Sequence, residues 1–118
     1  MTAAVLDWIK GGEGIAFQSC SHCSHRWYFR RAFCPRCGSD SPVDLQASGL
    51  GTIHAATLVT RAPSEALRAH APYLIVLVDA DEGFRLMAHA APQLRVGTRV
   101  RCRFASFGGR LIPFFEPA

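Results

Sequence analysis

Residues 20 to 37 read CSHCSHRWYFRRAFCPRC, two C-x2-C pairs with ten residues between them. This spacing constrains the fold more than any other feature of the chain. Each C-x2-C turn sets two sulfurs on one side of a tight loop, with backbone amides able to donate to them. Two such loops face to face make a tetrahedral thiolate cage, which zinc accepts without a geometric preference of its own. A segment of about 30 residues cannot build its own apolar core, and it needs a staple such as a metal. A structural zinc supplies on the order of 10 kcal/mol of coupled folding energy. The spacing therefore predicts a zinc ribbon with Cys20, Cys23, Cys34 and Cys37 as ligands. Iron in a tetrahedral sulfur site is the alternative. One pair alone would leave thioredoxin-like redox chemistry open, but two pairs fit a ribbon. His22 and His25 lie close by in sequence; with four cysteines present they read as loop residues. A site closed by four protein ligands has no open position for water, so its metal is expected to be structural.

Reduced thiols require a reducing compartment. The opening MTAAVLDWIK carries Asp7 and lacks the basic start of a signal peptide. No run approaches the roughly 18 apolar residues of a membrane span, and the longest, APYLIVLV, has strand length. The expectation is a cytoplasmic protein with no membrane segment, where thiols stay reduced. The formal charge is +4, with Arg supplying nearly all of the basic residues. Four thiolates around a divalent cation would lower that balance by two, so the basic excess points only weakly to nucleic acid.

The chain divides into three expected parts. Residues 1–12 form a short N-terminal helix, in which Val5, Leu6, Trp8 and Ile9 share a face and Gly11-Gly12 ends it. So short a helix is unstable alone, so it packs on its own fold or on a partner. Residues 13–47 are the ribbon, entered by the strand-like GIAFQSC and left through CGSDS, where Gly38 suits a tight loop. Residues 48–118 read as all-β. GTIHAATLVT alternates; YLIVLVDA is a continuous branched run; DEG turns into FRLMAH; RVRCRFASF alternates; and GG leads into RLIPFF. Five short antiparallel strands suit a closed barrel, which leaves no bare edge. The fold class is thus mainly β: a short helix, a four-cysteine ribbon, then a five-stranded OB-fold barrel. An SH3-like barrel or a small sandwich is the alternative.

No catalytic constellation is legible. GGEG lacks the Lys-Ser/Thr ending of a phosphate loop, and no Ser-His-Asp or paired-carboxylate pattern occurs. His54, His70 and His89 are scattered single residues. In RVRCRFASF, Val100, Cys102 and Phe104 face one way, which makes Cys102 a small core residue. Arg99, Arg101 and Arg103 face the other way; they form a solvated face or meet acidic protein or phosphate. Trp27, Tyr28 and Phe29 beside Arg26, Arg30 and Arg31 could stack bases and grip phosphates. They equally suit covering the metal loops and packing the ribbon on the barrel.

The stretches CSHCSHRWYFRRAFCPRCGS, SGLGTIHAATLV, APYLIVLVDADEGFRLMAH and LRVGTRVRCRFASFGGRLIPFFEP resemble one family over nearly the whole chain. It joins a rubredoxin-like zinc ribbon to an acyl-CoA-associated OB-fold domain. The matching points include Pro35 after Cys34, the Ser48-Gly49-x-Gly51-Thr52 opening, Pro72-Tyr73, Arg95-Val96-Gly97 and Pro113-Phe114. Where members commonly carry Pro-Pro-Arg before the second cysteine pair, this chain has Phe29-Arg30-Arg31. The resemblance implies a non-catalytic companion of a thiolase-superfamily enzyme: a thiolase, a hydroxymethylglutaryl-CoA synthase complex or a steroid side-chain aldolase. In such assemblies the partner carries the catalytic group, and the small protein stabilises the complex and helps hold the CoA ester. Two other readings are a nucleic-acid-binding ribbon and barrel, and a stand-alone acyl-CoA enzyme, for which no nucleophile or acid–base pair can be named.

Overall fold

A computed structural model describes residues 5–61 and 64–118. Two sheets account for its architecture. The first has three antiparallel strands in the order β2-β1-β3: β1 (Ala16–Cys20), β2 (Arg26–Trp27) and β3 (Pro42–Gln46). The second is a closed barrel of five: β4 (Leu50–Val59), β5 (Tyr73–Ala80), β6 (Arg85–Ala90), β7 (Arg99–Phe107) and β8 (Arg110–Pro117). Around the barrel the order is β4-β5-β6-β8-β7, and β7 returns to pair with β4. All contacts are antiparallel except β6 with β8, which is parallel through His89–Phe114 and Ala90–Phe115. This is the Greek-key order of the expected OB barrel.

The five expected barrel strands are all present, and their alternation has the predicted cause. On β5, Leu74, Val76 and Val78 are buried while Tyr73, Ile75 and Leu77 are only partly covered. On β7, Val100 is fully buried and Arg99, Arg101 and Arg103 face out. A bulge between Ile53 and Ala55 swings His54 to the surface, where its Nδ1 lies 3.5 Å from Asp79. An extra residue on one strand re-aims a side chain in this way. Gly51 is required by close approach: a Cβ there would lie 2.6 Å from the Asp79 carbonyl oxygen.

The expected N-terminal helix is much reduced. Among the described residues it is a 3-10 turn, Trp8–Lys10, capped by the Asp7 carboxylate on the Ile9 amide and closed by Gly11 in the left-handed region; residues 1–4 lie outside the described residues. Its apolar face is used nonetheless. Trp8 packs against the barrel core and donates its Nε1–H to the Tyr28 hydroxyl at 2.7 Å. Three elements and one pairing escape the sequence pattern. These are β2, β3, the β6–β8 pairing and a single helical turn, α1 (Glu65–Arg68), in the β4–β5 connection.

One core runs from the barrel into the base of the ribbon. Ile15 and Phe17 join Ile53, Val76, Val78, Val100 and Phe115 in a continuous buried cluster. The tip of the ribbon is separate, a small cluster of Cys20, Trp27 and Cys34 with Cys23 against it. That is the coreless finger the cysteine spacing anticipates.

Candidate metal centre

The two cysteine loops are near copies. In the first, the amides of His22 and Cys23 donate to Cys20 Sγ, each at 3.4 Å, and the Ser24 amide donates to the Cys20 carbonyl at 3.0 Å. In the second, the amides of Arg36 and Cys37 donate to Cys34 Sγ at 3.4 and 3.5 Å, and the Gly38 amide to the Cys34 carbonyl at 2.9 Å. Each loop then leaves through a left-handed residue: Gly38 at φ 79° and Ser24 at φ 65°. Glycine adopts that conformation freely; serine does so against the Cβ–carbonyl clash.

The loops face each other. All four sulfurs lie within 4.8 Å of one another. Cys20 and Cys37 are 3.6 Å apart, as are Cys23 and Cys34. A disulfide needs about 2.05 Å, whereas the edge of a tetrahedron with zinc–sulfur bonds of about 2.3 Å is about 3.8 Å. The donors therefore suit a tetrahedral thiophilic cation. The group consists of sulfur alone; His22 is exposed and His25 stacks on Trp27 with ring centroids 5.8 Å apart.

Electrostatics point the same way. At Cys20 the Cys23 amide leads in holding the thiol down, to about 6, against the opposing effect of burial. At Cys34 burial opposes ionisation, yet the amides of Cys37 and Arg36 and the adjoining thiols outweigh it and lower the pKa. At Cys37 a contact from Ser39 acts downward, but burial and three neighbouring sulfurs push the thiol up to about 12. Four sulfurs this close cannot share four negative charges unaided. A divalent cation removes the conflict, because coordination deprotonates thiols outright.

The finger is held by Gln18, a buried polar residue on β1. Its Oε1 accepts from Trp27 Nε1 at 2.8 Å and from the Arg31 amide at 2.6 Å; its Nε2 donates to Asp44 at 3.1 Å. One side chain on β1 thus ties β2, the inter-cysteine loop and β3 together. The turn between β5 and β6 seats the finger on the barrel. Phe84 stacks on Phe17 at 4.7 Å and on Tyr28 at 5.9 Å. The Glu82 carbonyl accepts from Arg26, and its carboxylate accepts from the Ser48 amide at 2.7 Å. Trp27 and Tyr28 therefore serve packing, while Phe29 remains 71% exposed. The sequence marks DEG only as a turn; nothing local announces it as a seat.

The arginines are largely occupied. Arg99 makes a two-pronged contact with Asp81 at 2.6 and 2.8 Å, Arg103 meets Glu116 at 3.0 Å, and Arg30 meets Asp44 at 2.6 Å. The three β7 arginines thus face two carboxylates, Asp81 and Glu116, rather than standing bare. Cys102 is half-buried against the core, and burial pushes its thiol up to about 11. His70 and His89, which look scattered in sequence, both pack on Phe107, at 4.5 and 4.2 Å.

Barrel and cysteine loops together define a class: a small OB-barrel protein bearing a ribbon with a four-sulfur site. Within that class the chain belongs to the DUF35 family; residues 45–105, more than half of the 118, match the family described as ChsH2, C-terminal OB-fold domain. A DUF35 domain-containing scaffold protein of Methanothermobacter thermautotrophicus is 28% identical over 73% of this chain and 66% of its own length. A probable enoyl-CoA hydratase alpha subunit of Thermomonospora curvata is 27% identical over 88% of this chain, which spans only 34% of that subunit. Among solved structures, a chain of an Ltp2-ChsH2(DUF35) aldolase superposes with TM-score 0.74 at 26% identity, covering 88% of this chain and 84% of its own. A DUF35 protein of unknown function from Sulfolobus solfataricus shares the fold, with TM-score 0.59 at 17% identity over 93% and 81% of the two chains. No helix among the described residues is long and apolar enough to cross a membrane.

Proposed function

We propose that this chain is a non-catalytic, zinc-binding companion subunit of a thiolase-superfamily acyl-CoA enzyme, of thiolase, aldolase or synthase type, in the cytoplasm. The similarity that carries the reading is the superposition on a chain of the Ltp2-ChsH2(DUF35) aldolase over 88% of the length. The scaffold protein of the same family supports it. In this reading residues 13–47 form the zinc ribbon and residues 48–118 the barrel. Cys20, Cys23, Cys34 and Cys37 hold the zinc, with iron as the other metal such sulfurs take. When bound, the metal supplies a fixed positive centre that folds the finger and leaves no position for water. The chain's own residues then do positional work. Gln18 fixes the loops, and the Phe17–Phe84–Tyr28 stack orients the finger on the barrel. The two together offer a partner a rigid surface, at which a CoA ester is held.

The chemistry is left to the partner. A thiol pushed up to about 11, as at Cys102, is a poor nucleophile. The hydratase relative extends well beyond the matched third, so its activity is not carried over with the match. Co-expression with thiolase-like proteins encoded beside this chain, followed by native mass spectrometry, is the test. A stable complex in which the partner turns over acyl-CoA only when joined to this chain is expected. Turnover by the chain alone, or no retained thiolase-like protein, overturns the reading.

A further inference from the structure

In OB barrels the outer face of the second and third strands, with the loops joining strands one to two and four to five, is the usual binding surface. Here that surface is β5 and β6 with residues 64–72 of the β4–β5 connection and the Gly108-Gly109 hairpin. Two hollows open on it, of about 230 and 210 Å3. They share a wall of His89, Phe107 and Ile112. The first also touches Tyr73, Ser106 and His70; the second is closed by Trp8, Ile75 and Met87. Tyr73 stacks on His89 at 5.1 Å and meets Phe107 edge-on at 5.1 Å. The His70 Nε2 accepts from the Gly108 amide at 3.4 Å, which draws the two loops together over the first hollow.

Three observations fix the chemistry this surface suits. Neither ring nitrogen of His89, nor the hydroxyls of Tyr73 and Ser106, enters a hydrogen bond among the described residues. The lining of both hollows contains no Asp, Glu, Lys or Arg. Arg103, whose guanidinium lies 4.4 Å over the Phe114 ring at the edge of the first hollow, has its charge engaged by Glu116. Burial, and then the charge of His70, lower the His89 pKa, so its imidazole is neutral at pH 7 and can donate or accept. An apolar pocket with a few convergent polar atoms is how small-molecule sites are built. Phosphate or carboxylate would find no Lys or Arg in the lining of either hollow.

We propose that this face binds an uncharged, mostly apolar small molecule with a flat portion and a hydrogen-bonding oxygen, seated among Tyr73, His89 and Phe107. The site is independent of the companion reading, because the isolated chain should bind without any partner. The test is an NMR titration of the full, metal-loaded chain with acetophenone as the uncharged probe and benzoate as its charged counterpart. Acetophenone should shift the ring signals of His89 and Tyr73 saturably, and benzoate should bind at least tenfold more weakly. His89→Phe keeps the aromatic wall but loses the nitrogens, and should weaken acetophenone between about threefold and tenfold. Ile112→Trp fills the shared wall and should abolish binding. No saturation up to the solubility limit, benzoate binding as tightly, or wild-type affinity in a folded Ile112→Trp variant would each overturn the proposal. Should His89→Phe fail to fold, the benzoate comparison and Ile112→Trp still decide.

Discussion

Replacing Gln18 with leucine tests whether one buried amide holds the finger. Leucine has nearly the same volume, so packing is conserved while three polar contacts vanish. The buried Trp27 Nε1–H loses its acceptor at 2.8 Å and the Arg31 amide loses one at 2.6 Å. A buried donor left unpaired costs about 1–3 kcal/mol. The Trp27 donor is wholly enclosed and should incur the larger cost; the Arg31 amide borders an open cleft where water can replace the amide oxygen. The lost Asp44 contact, made to a charged group, adds about 1 kcal/mol. The total is roughly 3 kcal/mol, or about a hundredfold in the opening equilibrium of the finger. Hydrogen exchange with peptide-level mass spectrometry on metal-loaded protein reads this directly. Peptides covering β1 to β3 should exchange about a hundredfold faster in Gln18→Leu, while those of β5 and β6 are unchanged. Gln18→Glu keeps an acceptor for both donors and sets a carboxylate against Asp44, so it should fall between. Acceleration of less than threefold in Gln18→Leu would refute the reasoning, since the finger would then be held by metal and aromatic packing alone.

Removing the metal with a strong chelator should strip protection from residues 16–46 and leave the barrel strands protected; elemental analysis should give one metal per chain, and collapse of both regions together would show a single cooperative unit. Gly51→Ala places a methyl 2.6 Å from a backbone carbonyl that cannot move away, and should lower stability by about 3 kcal/mol in chemical denaturation. Arg99, through its hydrogen bond first, holds the Asp81 carboxyl below its ordinary value of 3.8. The pair's contribution is therefore present above pH 3.8 and lost as pH falls through the lower folded value. The Tm gap between wild type and Asp81→Asn should be constant from pH 7 to about 5 and should close in acid. Cys102, pushed up to about 11, carries on the order of a hundredfold less thiolate at pH 8 than an ordinary cysteine, so iodoacetamide should label it far more slowly than a free thiol.

What the linear sequence determined is what neighbouring residues can encode. The sulfur quartet follows from the spacing of Cys20, Cys23, Cys34 and Cys37, because each C-x2-C turn aims its two sulfurs through contacts no more than four residues apart. The five barrel strands follow from alternation and branched runs, which also depend only on near neighbours. The N-terminal element is a 3-10 turn rather than a longer helix among the described residues for the same reason. Its apolar face was legible, but what that face met was not, and Trp8 is held by Tyr28 twenty residues away rather than by helical periodicity. β3 has weak alternation, and it exists because β1 pairs with it across its whole length. Gln18 reaches Asp44 across 26 positions and Arg26 reaches Glu82 across 56. His70 and His89 meet on Phe107 only because the barrel closes. Local chemistry fixed the metal loops and the strands; chain closure alone decided where the finger sits and which side chains share the barrel's outer face.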